Sequence, residues 1–193
     1  MIKNNPKIID AVRTLLEVIE GEPLRQGISE TPDRVMRAYD EMFDGYDVDI
    51  GKLLSKTFQE NGSDQIVSMR DIEFWSTCEH HILPFHGYAH IAYLPTNKVL
   101  GASKLERLVM AYAHRLQLQE RITRQVADAL MQYLQPLGVA VIIHGEHLCM
   151  RCRGVKSSSS QIVTSVMLGE FRTNQAMRME VLSLLGLNNG TKN

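Results

Sequence analysis

The feature that most constrains the fold is a pair of amphipathic segments flanked on both sides by strand-like segments. GASKLERLVMAYAHRL (101–116) and ERITRQVADALMQYL (120–134) repeat apolar residues at helical spacing. QIVSMRDIEFW and YAHIAYL precede them, GVAVIIHGEHL and QIVTSVML follow, and all four are typical of strands. Because the strands come in adjacent pairs, we predict an α+β domain whose helices cover one side of an antiparallel sheet.

The N-terminal third has a different pattern. Residues 7–20 place apolar side chains on one helical stripe, and ETPDRVMRAYDEMFDG begins a second helix. Residues 50–64 are polar and predicted to be irregular. We therefore divide the chain into a helical N-terminal arm, residues 1–64, and a larger domain, residues 65–193, that ends in a helix capped by Asn174.

Composition excludes several classes of function. The chain of 193 residues carries a net charge of −1, so it has no overall attraction for nucleic acid or anionic lipid. Aromatic residues make up 6%, too few to favour a base-stacking platform. No apolar run is as long as a membrane span, and MIKNNPKIID lacks the apolar core of a signal peptide. We expect a cytoplasmic protein without nucleic-acid or membrane partners.

Two short segments gather side chains that bind transition metals. STCEHHILPFHG holds Cys78 and His81 three residues apart, and HLCMRCRG holds Cys149 and Cys152. Three cysteines are too few for a disulfide framework, and thiolates with an imidazole suit zinc. If all four side chains bind, the zinc is structural. If Cys152 is left out, the three remaining ligands leave a position open for water, and the zinc is catalytic.

Strand spacing and the neighbouring histidines favour the open site without excluding the closed one. If HLCMRCRG continues a strand, Cys149 lies on one face and Cys152 on the other. His80 and His147 flank the candidate ligands, and a water-activating zinc needs proton carriers that a structural zinc does not.

Cationic residues on separate segments allow two interpretations. Lys104 and Arg107 share a face of one predicted helix, Arg34 and Arg37 share a face in the arm, and Arg153 follows the second cysteine segment. Such residues usually lie on solvated surfaces. Together they would also suit a polyphosphate, since arginine and lysine both bind phosphate oxygens.

The start of the second central helix is equally open to two interpretations. Glu120 favours the helix dipole at this position, and Gln119 is an ordinary polar neighbour. Alternatively, the carboxylate accepts hydrogen bonds from a purine edge. His90 lies in a buried strand, where we predict a satisfied core imidazole.

Five motifs in one order carry a family resemblance. CEHH, GASKLERL, LQLQERIT and HLCMRCRGV, with ETPDRV in the arm, closely resemble GTP cyclohydrolase I, from about residue 7 to about residue 185. The resemblance implies the tunnelling fold, in which β-β-α-α-β-β units form a ring. It also implies GTP as substrate, one zinc ion per subunit, and a homodecamer of two stacked pentamers with active sites at subunit junctions.

The resemblance also implies which residues form the site. Its zinc ligands fall on Cys78, His81 and Cys149, and its catalytic residues on His80, His147 and Ser103. Its substrate-binding residues are Gln119 and Glu120 for guanine, and Lys104, Arg107, Arg153, Arg34 and Arg37 for the triphosphate.

The implied reaction is hydrolytic opening of GTP at C8, release of formate, and rearrangement and closure to 7,8-dihydroneopterin triphosphate. This is the first step of tetrahydrofolate, pterin or deazaguanine biosynthesis. One alternative is a nitrile reductase of the same fold, which would use a thiol nucleophile and no zinc. A non-catalytic zinc-stapled ring that binds nucleotide is another.

Four residues depart from the family pattern. Leu118, Tyr88 and Ala102 replace commoner residues without removing a catalytic group. Cys152 is the important departure, because it offers a fourth metal ligand and adds a thiol that can be oxidised.

Overall fold

A five-stranded sheet lies at the centre of the computed structural model, which describes residues 5–60, 62 and 65–187. Each neighbouring pair of its four long strands is antiparallel, and a two-residue strand adds parallel to the first of them. The strands are β2 (Val67–Cys78), β3 (Pro84–Leu94), β5 (Leu116–Gln117), β6 (Gly138–His147) and β7 (Ile162–Gly169). Their spatial order in the sheet is β5-β2-β3-β6-β7.

Two long helices cover one face of this sheet. They are α4 (Ala102–Ala113) and α5 (Gln119–Tyr133), and their apolar stripes are buried. Leu108 and Leu130 pack in one core cluster with Ile91 of the central strand. This burial of apolar area is the main force that fixes the helices to the sheet.

The C-terminal helices lie on the opposite face. They are α7 (Glu170–Thr173) and α8 (Gln175–Leu184), and Phe171 and Val181 pack there with Ala92 and Ile142. Successive strand residues point to opposite faces, so β3 and β6 are apolar at odd and even positions alike. The expectation that helices cover one side therefore holds for α4 and α5 but not for the final helix.

The ends of α8 follow the predicted capping chemistry. The Asn174 side chain accepts hydrogen bonds from the backbone N–H groups of Ala176 and Met177. Gly186 follows the helix with φ of 75°, a left-handed conformation that favours glycine after a helix. The predicted helix with an Asn174 cap is confirmed.

The N-terminal segment is helical, as predicted. It contains α1 (Pro6–Glu20), α2 (Thr31–Met42) and a short α3 (Ile50–Leu54). The segment predicted to be irregular is partly ordered, since α3 buries Leu54 in the main core and β1 (Thr57–Gln59) pairs with β4 (Lys98–Leu100).

The order of elements agrees with the predicted class. The α+β class, the β-β-α-α-β-β order and the helical N-terminal segment are confirmed. The division at residues 64 and 65 stays a prediction, because residues 61, 63 and 64 lie outside the described residues. Among the residues that are described, none of the helices is long and apolar enough to cross a bilayer.

Candidate active site

A tight turn between β2 and β3 brings two metal-binding side chains together. The backbone N–H of Cys78 donates to the carbonyl of Leu83 at 2.9 Å, and the N–H of Ile82 donates back to the carbonyl of Cys78 at 2.9 Å. Ile82 has φ of 54°, which reverses the chain. As a result, Nδ1 of His81 lies 3.7 Å from Sγ of Cys78. An extended strand would have pointed these side chains to opposite faces.

The third metal-binding side chain comes from the end of β6. Phe85 at the start of β3 pairs with His147 at the end of β6, so the end of β6 lies beside the turn between β2 and β3. One helical turn, α6 (Leu148–Arg151), then follows and places Sγ of Cys149 3.9 Å from Sγ of Cys78. The expectation that this segment continues a strand is wrong, because the chain leaves the sheet after His147. The face assignment drawn from strand alternation fails with it.

The three side chains fit a tetrahedral transition metal. Cys78, His81 and Cys149 each offer one donor atom, and these atoms lie within 4.8 Å of one another. Zinc bonds of about 2.3 Å to sulfur and about 2.0 Å to nitrogen would require separations of about 3.8 Å between sulfurs and about 3.5 Å from sulfur to nitrogen. The 3.9 Å between the two sulfurs and the 3.7 Å between Cys78 and His81 lie close to those values, and the donor atoms of His81 and Cys149 lie within 4.8 Å of each other.

The metal-binding group has three members, and Cys152 is not one of them. Both group thiols are buried, Cys78 at 5% exposure and Cys149 at 8%, while His81 is exposed. Cys152 is also exposed. This arrangement favours a three-ligand site that is open toward solvent over the closed four-ligand site.

Burial affects the protonation of the thiols. Desolvation raises the pKa of Cys149, and the neighbouring Cys78 raises it further. Two buried sulfurs at this separation repel each other when both are ionised, and a divalent cation removes that penalty. Metal binding at this group must therefore displace protons, which makes the affinity fall as the solution becomes acidic.

His147 lies beside the metal-binding group in a fixed orientation. Its ring stacks on Phe85 with centroids 4.5 Å apart and planes 4° from parallel. Its Nε2 lies 3.1 Å from Oε1 of Gln119. Burial lowers the pKa of His147, and the charge of Glu120 opposes that shift.

The amide nitrogen of Gln119 is held by hydrogen bonds to the backbone. Its side chain is 1% exposed, and its Nε2 donates to the carbonyls of Ile143 and Ile162 at 3.0 Å and 2.9 Å. Those two acceptors fix which end of the amide faces His147. Gly145 makes room for it, because a Cβ there would lie 2.3 Å from Oε1 of Gln119.

A salt bridge that the sequence analysis missed joins the turn to helix α5. Arg121 forms a two-pronged pair with Glu79, including a 3.1 Å bond from Nη2 to Oε1. The pair lowers the pKa of Glu79, chiefly through the hydrogen bond. The only signal in the sequence was an acidic residue inside CEHH. The neighbouring Glu120 remains exposed.

The other predicted site residues are exposed, except for Lys104, which is half-buried. His80 is exposed, with its ring centroid 6.2 Å from that of His81. Arg34 pairs with Glu30 at 2.9 Å. No hydrogen bond or ion pair between described residues joins the remaining ones to the metal-binding group: Ser103, Lys104, Arg107, Arg153 and Arg37.

The fold and this group define a class of protein, an α+β domain with a Cys-His-Cys group that could hold a transition metal at the ends of its strands. A family model described as GTP cyclohydrolase I matches residues 8–186. The chain therefore belongs to the GTP cyclohydrolase I family and is an enzyme of that type.

Individual relatives agree with this assignment. GTP cyclohydrolase 1 of Caldanaerobacter subterraneus subsp. tengcongensis is 50% identical over 180 residues, covering 93% of this chain and 95% of the relative. The enzyme of the same name from Allorhizobium ampelinum is 48% identical, covering 91% and 88%, and that of Leptospira biflexa is 45% identical, covering 90% and 95%.

A solved structure, the archaeosine synthase QueF-Like in the apo form, aligns with a TM-score of 0.45 and 15% identity, over 54% of this chain and 93% of that chain.

Proposed function

We propose that this enzyme converts GTP and water to formate and 7,8-dihydroneopterin triphosphate, with one zinc ion per subunit. One net water is consumed, and the C8 carbon of guanine leaves as formate. The observation that carries the proposal is the convergence of Cys78, His81 and Cys149 on one open-sided site, in a chain of this family. The product would supply tetrahydrofolate, pterin or deazaguanine biosynthesis.

The metal-binding group would hold the zinc through two buried thiolates and one exposed imidazole. When bound, the ion supplies Lewis acidity that makes water a competent nucleophile at neutral pH. Cys78 and Cys149 are buried in the main core, so they can hold the ion in a fixed place. His81 completes the group from the turn, at the solvent side where GTP must enter.

The two flanking histidines would carry protons. The bond from Nε2–H of His147 to Gln119 leaves Nδ1 of the neutral ring with a free lone pair. We assign that nitrogen to proton exchange with N7 of guanine and the opened ring. His80 is exposed on the turn and free to reorient toward the same substrate.

Glu120 would select guanine. It is the exposed acidic residue at the start of α5, so its carboxylate is free to accept hydrogen bonds from N1–H and the exocyclic amine of guanine. Adenine lacks that donor pair, and a carboxylate left without partners in a closed site discriminates strongly. The resemblance implies that Gln119 also binds guanine; because its side chain is buried and bonded to His147, we propose instead that it serves the site by holding that ring.

The triphosphate would be bound by cations from several segments. GTP carries roughly four negative charges at neutral pH. Lys104, Arg107 and Arg153 have no ion-pair partner among the described residues, which leaves their charges available. Arg34 and Arg37 lie on an exposed face of α2, and Ser103 lies beside Lys104, where it would assist proton transfer at the ribose.

We propose a homodecamer of two pentamers with sites shared between subunits, in which the cations of α2, α4 and the segment after α6 come from more than one subunit. Helix α1 has no buried residue, and Leu15, Val18 and Ile19 are 58%, 80% and 67% exposed. An apolar stripe of this kind is typical of a surface that another subunit covers.

A direct assay tests the function. The zinc-loaded enzyme is incubated with GTP, and formate is measured together with pterin fluorescence after oxidation. We expect both products in equal amounts from GTP, neither from ATP, and neither after treatment with a chelator until zinc is restored. A zinc-loaded enzyme that binds GTP but releases no formate would be a binding protein, and the proposal would be wrong.

A further inference from the structure

We propose that Cys152 is an oxidation site that controls the metal centre. A hydroperoxide would convert Cys152 and Cys149 to a disulfide, and the centre would release its metal. The inference rests on the metal site of the proposed function, but not on the reaction catalysed there.

The backbone already places these two cysteines at disulfide distance. The backbone N–H of Cys152 donates to the carbonyl of Leu148 at 2.9 Å, which closes the helical turn that contains Cys149. Residues three apart in a helix share a face and have Cα atoms about 5 Å apart. Disulfides span Cα separations of about 4.4 to 6.8 Å. The Cβ atoms of such residues lie about 5–6 Å apart and a disulfide needs about 3.5–4.5 Å, so the bond needs side-chain rotation and a small shift of the exposed segment that follows Arg151.

Exposure makes Cys152 the entry point for an oxidant. Cys78 and Cys149 are 5% and 8% exposed, whereas Cys152 is exposed and so is every residue from 151 to 156. A small peroxide reaches an exposed thiol before two buried sulfurs that share a metal ion. The exposed segment can adjust to the new bond without disturbing the core.

The chemistry balances in two steps. The Cys152 sulfur attacks one oxygen of the hydroperoxide, the O–O bond breaks, water or an alcohol leaves, and a sulfenic acid forms. The Cys149 sulfur then attacks the Cys152 sulfur, the S–O bond breaks, and the oxygen leaves as water after taking a proton. The two sulfurs lose two electrons in total, and the hydroperoxide gains them.

Loss of metal follows from the ligand count. A disulfide sulfur is a poor ligand, because the thiolate is the form that binds the metal. Cys78 and His81 alone would then hold the ion, and two protein ligands are fewer than structural or catalytic zinc sites use. Reduction of the bond restores the third ligand, so the change is reversible.

A competing disulfide is the main alternative. Cys78 and Cys149 have sulfurs 3.9 Å apart, so they could pair directly once the metal has gone. While the ion is bound, both sulfurs are ligands and both are buried. We therefore expect that bond only as a later product.

The test compares the zinc-loaded wild type with Cys152→Ser and with Met150→Leu, which removes the oxidisable neighbour inside α6. Each protein is treated with hydrogen peroxide. Zinc release is followed with a chromogenic chelator, and the first disulfide is mapped by peptide mass spectrometry. We expect release from the wild type and Met150→Leu at similar rates, a Cys149–Cys152 bond, and recovery after reduction with added zinc.

Cys152→Ser should release zinc about tenfold more slowly. Equal rates in the wild type and Cys152→Ser, or a Cys78–Cys149 bond formed first, would overturn the inference. A protein that binds no zinc would contradict the proposed function instead. In that case the disulfide map alone decides: a Cys149–Cys152 bond supports the inference, and a Cys78–Cys149 bond overturns it.

Discussion

Nε2 of His147 and Oε1 of Gln119 lie 3.1 Å apart, and this bond sets the orientation of the imidazole beside the metal-binding group. The amide that makes the bond is itself fixed by the carbonyls of Ile143 and Ile162. Phe85 supports the other surface of the ring. The imidazole is therefore held from both its edge and its face.

Replacing Gln119 should affect turnover more than substrate binding. Gln119→Leu frees the His147 ring and removes a donor from two carbonyls, so we expect kcat to fall about 10- to 100-fold. The free energy of unfolding should drop by about 1 to 3 kcal/mol. Steady-state kinetics and urea unfolding measure both effects. Gln132→Leu, an exposed change on the same helix, is the control. A raised KM with unchanged kcat would point to direct contact with guanine.

The pair between Glu79 and Arg121 should matter for the site more than for stability. Both side chains are partly exposed, at 28% and 41%, so solvent screening should leave the pair only a small contribution to the free energy of unfolding. Arg121→Met frees the metal-binding turn from α5. We expect a raised KM for GTP with nearly unchanged unfolding.

The exposed pair of Arg124 and Asp128 on the same helix supplies the matched control for this experiment. Arg124→Met should leave KM unchanged. If Arg121→Met and Arg124→Met behave alike, the bridge has no role at the site.

The metal content should distinguish the cysteines. Cys149→Ser removes one of three ligands, so we expect zinc and activity to be lost together. Cys152→Ser removes a thiol outside the group, so both should be kept. Metal analysis of the purified variants measures this directly. Loss of zinc from Cys152→Ser would show that the site is the closed, four-ligand one.

Glu120 should be separable from the metal. Glu120→Ala removes the carboxylate proposed to bind guanine but touches none of the three ligands, so zinc should stay at the wild-type level. We expect kcat/KM for GTP to fall by at least about 100-fold, because the guanine donors lose their acceptor. Glu106→Ala, an exposed change on α4, is the control. Unchanged GTP affinity in Glu120→Ala would contradict the assigned role.

His90 should make the fold sensitive to acid. Burial lowers the pKa of His90 below its ordinary 6.5. The charge of Asp71 raises this pKa by a smaller amount, and the charges of His144 and Arg70 lower it further. The unfolded chain therefore binds more protons just below that value. Stability that is present at neutral pH is lost as the pH falls through 6.5 toward the folded-state pKa.

A single substitution checks this linkage. Between about pH 7.5 and about pH 5.5, the urea midpoint of unfolding should change less in His90→Gln than in the wild type. Comparing the two proteins cancels the effect of other titrating groups. Val163→Thr, an exposed change in the same sheet that removes no ionisable group, is the control and should keep the wild-type slope. An equal slope in His90→Gln would show that another group causes the acid sensitivity.

The sequence by itself determined the elements and the chemistry of the ligands. Periodic apolar residues predicted the helices, apolar runs predicted the strands, and Asn174 predicted the cap of the last helix. These are local effects, encoded within one or two turns of chain. Residue types and spacing also narrowed the candidate metal ligands to Cys78, His81, Cys149 and Cys152, but they left the choice between a three-ligand and a four-ligand site open.

Only the tertiary structure decided how those residues meet. Three contacts join residues that are far apart in the sequence. Cys149 is 71 positions from Cys78, His147 is 28 positions from Gln119, and Arg121 is 42 positions from Glu79. The last helix likewise packs on the second face of the sheet, because Ala92 and Ile142 present apolar area on that face that the helix buries. Local pattern does not encode such contacts, since they depend on which surfaces the completed sheet brings together.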